Sequence, residues 1–347
     1  MPGLTTTLPA RRLTQRSWWL GLALTGALAA AAFGAARLPW AQHYGLGALT
    51  LAVVLGALIG NTLFPAIAAD TTAGVDFAKS TLLRAGVVLY GFRVTFQQIA
   101  GIGWSGLLID VLVIALTLLL ALQLGTRVFG LDRRTALLIG AGSAICGATA
   151  VLAAAPVLRS RDEAVSVAVA TVVLFGTLAM FAYPLLYPWS GLSEYAYGVY
   201  AGATIHEVAQ VVVAGNNVGE TAAATAVIVK MLRVMMLAPV LLLLGFALRQ
   251  RRSGDVTARC APPWFALWFI AASALNSQQW LPTALLELLR QLDTLLLAAA
   301  MAALGLHTRL DAIRRAGLKP MLLAGLLFVF LCGGGYGLTR LVLGWMH

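Results

Sequence analysis

AGATIHEVAQ, residues 201–210, places a histidine beside a glutamate inside a long apolar region. Sixty residues earlier, AGSAICGATA (residues 141–150) opens with the same small residues and carries no charge. Such residues allow close packing of membrane helices, or they mark a helix that is interrupted within the membrane, where protein or a watery cavity must surround the freed backbone groups. Because two similar passages occur, we interpret both as discontinuous helices.

The composition indicates an integral membrane protein. Hydrophobic residues make up 60% of the 347 residues, charged residues 11%, and the mean hydropathy is +0.88, whereas a soluble domain carries about 25% charged residues. The net charge of +11 is explained by basic residues in short loops that orient the helices. We therefore expect the lipid bilayer as partner and no nucleic acid.

Apolar runs separated by polar breaks predict an all-α polytopic protein with about eleven transmembrane helices. The predicted spans lie near residues 17–38, 44–62, 79–100, 104–126, 135–158, 164–188, 193–214, 221–248, 262–281, 284–306 and 319–345. We expect a cytoplasmic tail at 1–16 and a single transmembrane domain at 17–347. Its core would contain the broken helices near 135–158 and 193–214, and the other helices would form a scaffold.

The basic loops predict the orientation of these spans. With eleven crossings, the arginines before residue 17 share one side with most later basic residues, and the positive-inside rule makes that side the cytoplasm. The N-terminus would then be cytoplasmic and the C-terminus periplasmic. Arg159 and Arg161 fall on the other side. Either that loop is an exception or the fifth span is re-entrant.

Two apolar helices end in similar motifs, Gly91-Phe92-Arg93 and Gly305-Leu306-His307. Upstream of them, Asn61 and Pro65 have counterparts in Asn276 and Pro282. The two helices are third and tenth in order and run in opposite directions, which predicts an inverted-topology repeat typical of secondary transporters. The two small-residue passages would instead run parallel, so either the repeat is permuted or a span is miscounted.

The interrupted passages are candidates for substrate binding. The N-terminus of a half-helix presents N–H donors and a partial positive charge, which suit an anion. The predicted substrate-binding residues of these passages are Gly142, Ser143, Gly147, Thr149, Gly202, Thr204 and Gln210.

Ionisable residues deep in a membrane span suggest function. Lys230 and Arg233 share one helix face by their i, i+3 spacing, and we expect them to neutralise the anion with Arg84 as a possible third buried cation. His206 and Glu207 are candidates for proton coupling. A salt-bridge network without a transport role is the alternative. Three further acids near span ends are expected to reach the interface: Asp110, Glu287 and Asp293.

Other chemistries are disfavoured by the motifs. HEVAQ (residues 206–210) has Gln210 where the zinc motif H-E-x-x-H has its second histidine, and an amide is a poor zinc ligand. The three cysteines are widely spaced and predict neither a metal site nor a structural disulfide. No G-x-x-x-x-G-K-[ST] motif is present. We therefore expect no enzyme, metal or cofactor.

GSAICGATAVLAAAPVL (residues 142–158) and AGATIHEVAQVVVAG (residues 201–215), the latter followed by KMLRV (residues 230–234), resemble the YeiH-type family named for sulfate export. The resemblance covers residues 46–317. It implies a bacterial inner-membrane protein whose fold is related to cation/proton antiporters and bile-acid transporters, with crossed broken helices and a panel domain, often moving as an elevator. Homodimerisation is a further family expectation.

The sequence thus predicts a secondary transporter of a small anion such as sulfate, sulfite or a sulfonate, with proton-coupled export as one mode. A cation/proton antiporter is the alternative within the same class. From other classes, an intramembrane enzyme and a membrane sensor that transports nothing remain open.

Overall fold

The computed structural model describes residues 16–39, 41, 47–249, 264–308 and 317–345. All regular structure in these residues is helical. The predicted tail at 1–16, apart from Arg16, lies outside the described residues. One of the three cysteines, Cys260, also lies outside them. So do six basic residues of the loops that orient the predicted spans: Arg251, Arg252, Arg259, Arg309, Arg314 and Arg315.

We number the α-helices in chain order. They are α1 (Arg16–Ala36), α2 (Ala48–Asn61), α3 (Phe64–Phe77), α4 (Leu83–Tyr90), α5 (Phe96–Gln123), α6 (Arg133–Ala144), α7 (Ala148–Leu158), α8 (Asp162–Ser190), α9 (Glu194–Thr204), α10 (Val208–Asn216), α11 (Glu220–Met235), α12 (Leu237–Arg249), α13 (Trp264–Ser277), α14 (Thr283–His307), α15 (Leu318–Val329) and α16 (Gly335–Trp345). Short π-helical turns follow α3, α5 and α15 at Ala78–Leu82, Leu124–Val128 and Phe330–Gly334.

Six helical stretches of the described chain are long and apolar enough to cross a bilayer, which needs about 20 residues. They are Arg16–Ala36, Phe96–Val128, Glu163–Ser190, Glu220–Phe246, Thr283–His307 and Leu318–Trp345. Shorter apolar helices are α2, α7 and α13. The helical membrane architecture is as predicted, but the count of eleven crossing helices is not supported.

The predicted span at 79–100 is wrong in its bounds. The helix begins at Phe64, continues through the π-helical turn and ends at Tyr90. A second helix begins at Phe96, where Thr95 and Gln98 form a capping box. Residues 64–78, which lie between two predicted spans, are therefore helical, and Asp70 and Asp76 are exposed on α3.

The described residues form two compact units. The first draws on Met1–Tyr90 and Leu281–Arg309, and the second on Gly91–Trp280 and Leu310–His347. In the first unit α2 packs against α14 through glycines that let two backbones meet. A Cβ atom at Gly60 would lie 2.6 Å from the carbonyl oxygen of Leu306. Asn61 Nδ2 donates to Thr308 O at 2.8 Å beside this contact.

In the second unit α6 and α7 form a helical hairpin, hairpin 1, with its tip at residues 145–147. Arg134, at the start of α6, donates to the carbonyl oxygen of Arg159, just after α7, at 2.9 Å. Midway along, a Cβ at Gly142 would lie 2.7 Å from Val151 Cγ2. The chain therefore leaves hairpin 1 at the end where it entered.

The helices α9 and α10 form hairpin 2, with its tip at residues 205–207. Tyr197 Oη, near the start of α9, donates to Ala214 O, near the end of α10, at 3.2 Å. At the base, a Cβ at Gly219 would lie 2.5 Å from the carboxylate of Glu194. The chain therefore also leaves hairpin 2 at the end where it entered.

Both small-residue passages are interrupted where predicted, and at each interruption the chain folds back into a helical hairpin instead of continuing as one crossed, broken helix. The 29 residues of α8, about 43 Å long at 1.5 Å per residue, join the base of hairpin 1 to the base of hairpin 2. The hairpins therefore enter from opposite ends of α8. Because hairpin 1 folds back, Arg159 lies at the same end of the hairpin as Arg134.

Candidate functional site

The tip of hairpin 1 contains backbone groups that have no hydrogen-bond partner within its own helices, although they would have one in a continuous helix. The helix α6 ends at Ala144, Ile145 leaves the helical conformation, and Gly147 has φ +73°. This positive φ favours glycine. The carbonyls of Ala144 and Ile145 and the N–H groups at the start of α7 therefore need partners from outside the hairpin.

The tip of hairpin 2 is the His206-Glu207 pair itself. The helix α9 ends at Thr204, Ile205 is extended at φ −69° and ψ 144°, and α10 begins after Glu207. The Glu207 N–H donates to Gln210 Oε1 at 3.0 Å, which stabilises the start of α10. The ionisable pair noted in the sequence thus occupies the turn between two half-helices.

Lys230 on α11 connects the two tips. Its ammonium nitrogen donates to Ile145 O at 2.7 Å and to Ile205 O at 2.5 Å. The side chain is fully buried. A cation suits these positions because both carbonyls lie at the C-terminal, negative ends of half-helices. The structure therefore places Lys230 at the point where the hairpins meet.

Arg233, one helical turn further along α11, lies at the tip of hairpin 1. Its Nε donates to Ala144 O at 2.5 Å, and the residue is fully buried. Its two terminal nitrogens have no hydrogen-bond partner. A buried guanidinium with free donors is costly unless it is paired, and its planar fork suits a bidentate oxyanion.

Glu207 reaches across from hairpin 2 to hairpin 1. Its Oε1 accepts from Ala148 N, the first residue of α7, at 3.3 Å. Its side chain lies against Gly147, where a Cβ would be 3.0 Å from Oε1. The carboxylate thus lies at the positive end of α7. Glu207 and Lys230 contact the hairpin tips at different backbone groups.

Asp110 is a site residue that the sequence analysis missed. The expectation that it reaches the interface is wrong, because it is fully buried in α5 and both carboxylate oxygens lack hydrogen-bond partners. Arg233 and Lys230 act on it electrostatically. Its position fourteen residues into a long apolar helix was the available signal. Asp293 is also fully buried, in the first unit.

His206 and Gln210 complete the polar lining of the hairpin 2 tip. His206 is 1% exposed, and its Nδ1 has no hydrogen-bond partner. Gln210 is fully buried against Gly176 of α8, where a Cβ would be 2.6 Å from its Nε2. That amide nitrogen also lacks a partner. Unpaired buried polar groups are rare in proteins and call for an explanation.

The other predicted binding residues take different positions. Ser143 and Thr204 are buried next to the tips, and Thr204 Oγ1 donates to Tyr200 O. Gly202 serves packing, because a Cβ there would lie 2.5 Å from Ala226 O, and Gly142 serves packing within hairpin 1. Thr149 is exposed on α7, so its hydroxyl does not face the buried tips.

The prediction of Arg84 as a buried cation is wrong. The residue is exposed on α4 and belongs to the first unit. The helix that contains it begins at Phe64 and ends at Tyr90, so Arg84 lies near a helix end. From there a long side chain can extend its charge to polar surroundings.

A tyrosine-rich cavity of about 390 Å³ lies near the base of hairpin 2. Tyr183 and Tyr200 stack inside it with ring centroids 4.7 Å apart. Tyr200 Oη donates to Cys332 O at 2.9 Å, and Tyr200 O accepts from Thr204. The cavity therefore extends along α9 to Tyr200, five residues before the hairpin 2 tip.

The described residues contain no group of three or more His, Cys, Asp or Glu that could hold a metal ion. Cys146, at the tip of hairpin 1, and Cys332 are free thiols.

Comparison with known proteins shows similarity to uncharacterised membrane proteins. Residues 20–324 match the family described as conserved hypothetical protein 698. A UPF0324 membrane protein of Pseudomonas aeruginosa is 57% identical, covering 93% of this chain and 94% of the relative. The UPF0324 inner membrane protein YeiH is 50% identical in Salmonella typhimurium and 49% in Escherichia coli K12, with 93% of each chain covered. No solved structure matches.

Proposed function

Since this chain belongs to the UPF0324 family of membrane proteins, which includes the inner membrane protein YeiH, we propose that it is a secondary transporter of a small anion. The substrate would bind between the two hairpin tips. The observation that carries this proposal is the pair of fully buried cations, Lys230 and Arg233, at the meeting point of the tips. Buried cations in a membrane protein mark ion pathways.

The arrangement of the hairpins supports transport. They enter from opposite ends of α8, and their tips meet at Lys230. A ligand held between the tips is reached from one side when one hairpin moves and from the other side when the second moves. This geometry provides two gates around one binding site.

The chemistry of the tips favours an anion over a cation. The carbonyls of Ile145 and Ile205 would suit a metal cation, but Lys230 donates to both. Arg233 keeps two donors without partners. Together with the N–H groups at the start of α7, these donors suit a small oxyanion. We propose sulfate, sulfite or a sulfonate, with His206 and Glu207 as the proton-coupling pair.

An inverted repeat is part of the proposal. Asn61 donates to Thr308 O, just after the Gly305-Leu306-His307 motif. Asn276 donates to Val94 O, just after the Gly91-Phe92-Arg93 motif, at 3.1 Å. The two asparagines therefore make equivalent bonds to the two motifs, which supports the inverted repeat. In this repeat hairpin 1 corresponds to hairpin 2, and the order of the helices is permuted in one half.

The positive-inside rule then places the base of hairpin 1, with Arg134 and Arg159, in the cytoplasm. The N-terminus would also be cytoplasmic and the C-terminus periplasmic. The tyrosine cavity at the base of hairpin 2 would open toward the periplasm.

The test is uptake into proteoliposomes of radiolabelled sulfate, sulfite and methanesulfonate, with and without an imposed pH gradient. We expect at least one anion to accumulate when the gradient is present. Lys230→Ala should reduce this uptake to the level of empty liposomes, because it removes the cation that joins the tips. Lys319→Ala is the matched control, since Lys319 is exposed at the start of α15. Wild-type uptake by a folded Lys230→Ala variant would contradict the assignment.

One observation favours a second function, cation/proton antiport. Asp110 is a fully buried carboxyl group without a hydrogen-bond partner, and exchangers of cations for protons use such groups. Sodium or potassium flux that responds to pH and is lost in Asp110→Asn, with no anion flux, would establish this alternative.

A further inference from the structure

Glu207 occupies the position at the start of α7 that an anion would take. Its carboxylate accepts from Ala148 N and lies against Gly147. The helix α7 has eleven residues, so its dipole places a partial positive charge at its N-terminus. The bond also joins the tip of hairpin 2 to the tip of hairpin 1.

Other buried donor groups at the hairpin tips have no hydrogen-bond partner. The terminal nitrogens of Arg233 are buried without partners, and so is Nδ1 of His206. Arg233 is fixed by its bond to Ala144 O, three residues before Gly147 in the same tip. Each of these groups can donate a hydrogen bond, and an oxyanion would satisfy both.

The charges around Glu207 are balanced without a ligand. Lys230 of α11 acts on Glu207 electrostatically, and Arg233 lies at the hairpin 1 tip, which also contains Cys146. Asp110 acts on both cations from α5. When both cations and both carboxylates are ionised, their charges sum to zero. Adding a monovalent anion would leave one uncompensated buried negative charge, which is costly at this depth.

We propose that the Glu207 carboxylate holds the place of the substrate anion between the hairpin tips, and that a monovalent oxyanion displaces it only when Glu207 takes up one proton. This inference rests on the proposed anion transport and deepens it by naming the coupling group and the charge of the substrate. One anion and one proton then enter together. The protonated side chain leaves the Ala148 N–H for the anion, and the total charge of the site is unchanged.

Methanesulfonate is the appropriate probe because it remains monovalent from pH 5 to pH 9. Its dissociation constant for the purified full-length protein should rise about tenfold per pH unit, as linkage to one proton requires. Binding in a weakly buffered solution should take up about one proton per anion. Glu207→Gln should bind methanesulfonate with no pH dependence and without proton uptake.

Two further variants make the result specific. Glu220→Gln is the matched control, since Glu220 is exposed at the first turn of α11, and it should retain the wild-type pH slope. Glu207→Ala tests the same prediction if glutamine at this position impairs folding. The measurement of proton uptake on methanesulfonate binding uses the wild-type protein, so it does not depend on the folding of any variant.

The outcomes separate the inference from the proposed function. A folded Glu207→Gln variant with the wild-type pH slope would overturn the inference and leave anion transport intact. Wild-type binding without proton uptake would do the same. If the wild type binds neither methanesulfonate nor sulfate at any pH, the anion proposal itself fails and takes the inference with it.

Discussion

The ammonium nitrogen of Lys230 lies 2.5 Å from the carbonyl oxygen of Ile205 and simultaneously bonds Ile145. One side chain therefore satisfies a backbone carbonyl in each hairpin tip. An unpaired buried carbonyl costs about 1–3 kcal/mol, so Lys230 stabilises the state in which the tips are together. A substrate that draws Lys230 away would weaken this junction, which couples binding to hairpin movement.

Gly147→Ala should destabilise the protein and disturb Glu207. Its φ of +73° is unfavourable for alanine by on the order of 1–3 kcal/mol, and the new Cβ would overlap the Glu207 side chain. Gly130→Ala is the control, because Gly130 has φ +62° with open space around it. Both variants should unfold at lower temperature, but only Gly147→Ala should weaken the pH dependence of methanesulfonate binding. An unchanged pH slope in Gly147→Ala would argue against the position given to Glu207.

Asp110 and Arg233 should be energetically coupled. Each has buried polar atoms without partners, and removing one charge leaves the other uncompensated. The free energy of unfolding of Asp110→Asn, Arg233→Met and the double variant forms a double-mutant cycle. We expect the double variant to be more stable than the sum of the single losses by about 0.5–3 kcal/mol. If the losses in the free energy of unfolding of the two single variants simply add in the double variant, the two groups do not interact.

Asp132 should make the start of α6 sensitive to acid. Partial burial raises the pKa of the Asp132 carboxyl, but hydrogen bonds from Thr135 and the N–H of Arg134 outweigh this and leave the pKa below the ordinary aspartate value of 3.8. The stabilisation is therefore complete above pH 3.8 and is lost as the pH falls through the lower, folded-state pKa.

The matching experiment measures thermal unfolding of Asp132→Ala from pH 3 to pH 7. The variant should be less stable by about 0.5–2 kcal/mol at pH 7, and the difference should shrink in acid. Asp132→Asn retains a capping side chain that does not titrate, so it should show no such shrinkage. A constant difference for Asp132→Ala down to pH 3 would contradict this account.

Cys332 should react with thiol reagents faster than Cys146. Cys332 lines the tyrosine cavity and is partly exposed, whereas Cys146 is buried at the hairpin 1 tip. Labelling with N-ethylmaleimide in a Cys260→Ser background, followed by mass spectrometry, measures both rates. Equal rates would mean that the hairpin tips open as readily as the cavity.

Several features of the site were predicted from local sequence. Gly147 and the His206-Glu207 pair mark the two interruptions because glycine allows positive φ and a charge at that depth needs a special environment. The spacing of Lys230 and Arg233 placed them on one helix face. Asp110 was missed and Arg84 was misplaced, since burial of a side chain depends on neighbours that are distant in the chain.

The sequence by itself determined that this is a helical membrane protein, because its hydrophobicity leaves lipid as the solvent, and it determined where two helices are interrupted. Only the tertiary structure decided that the chain turns back at each interruption. A straight broken helix and a hairpin have the same apolar pattern, since hydropathy reports the surroundings of a residue and not the direction of the chain. The bonds from Arg134 to Arg159 and from Tyr197 to Ala214 fix that direction, and with it the meeting of both tips at Lys230.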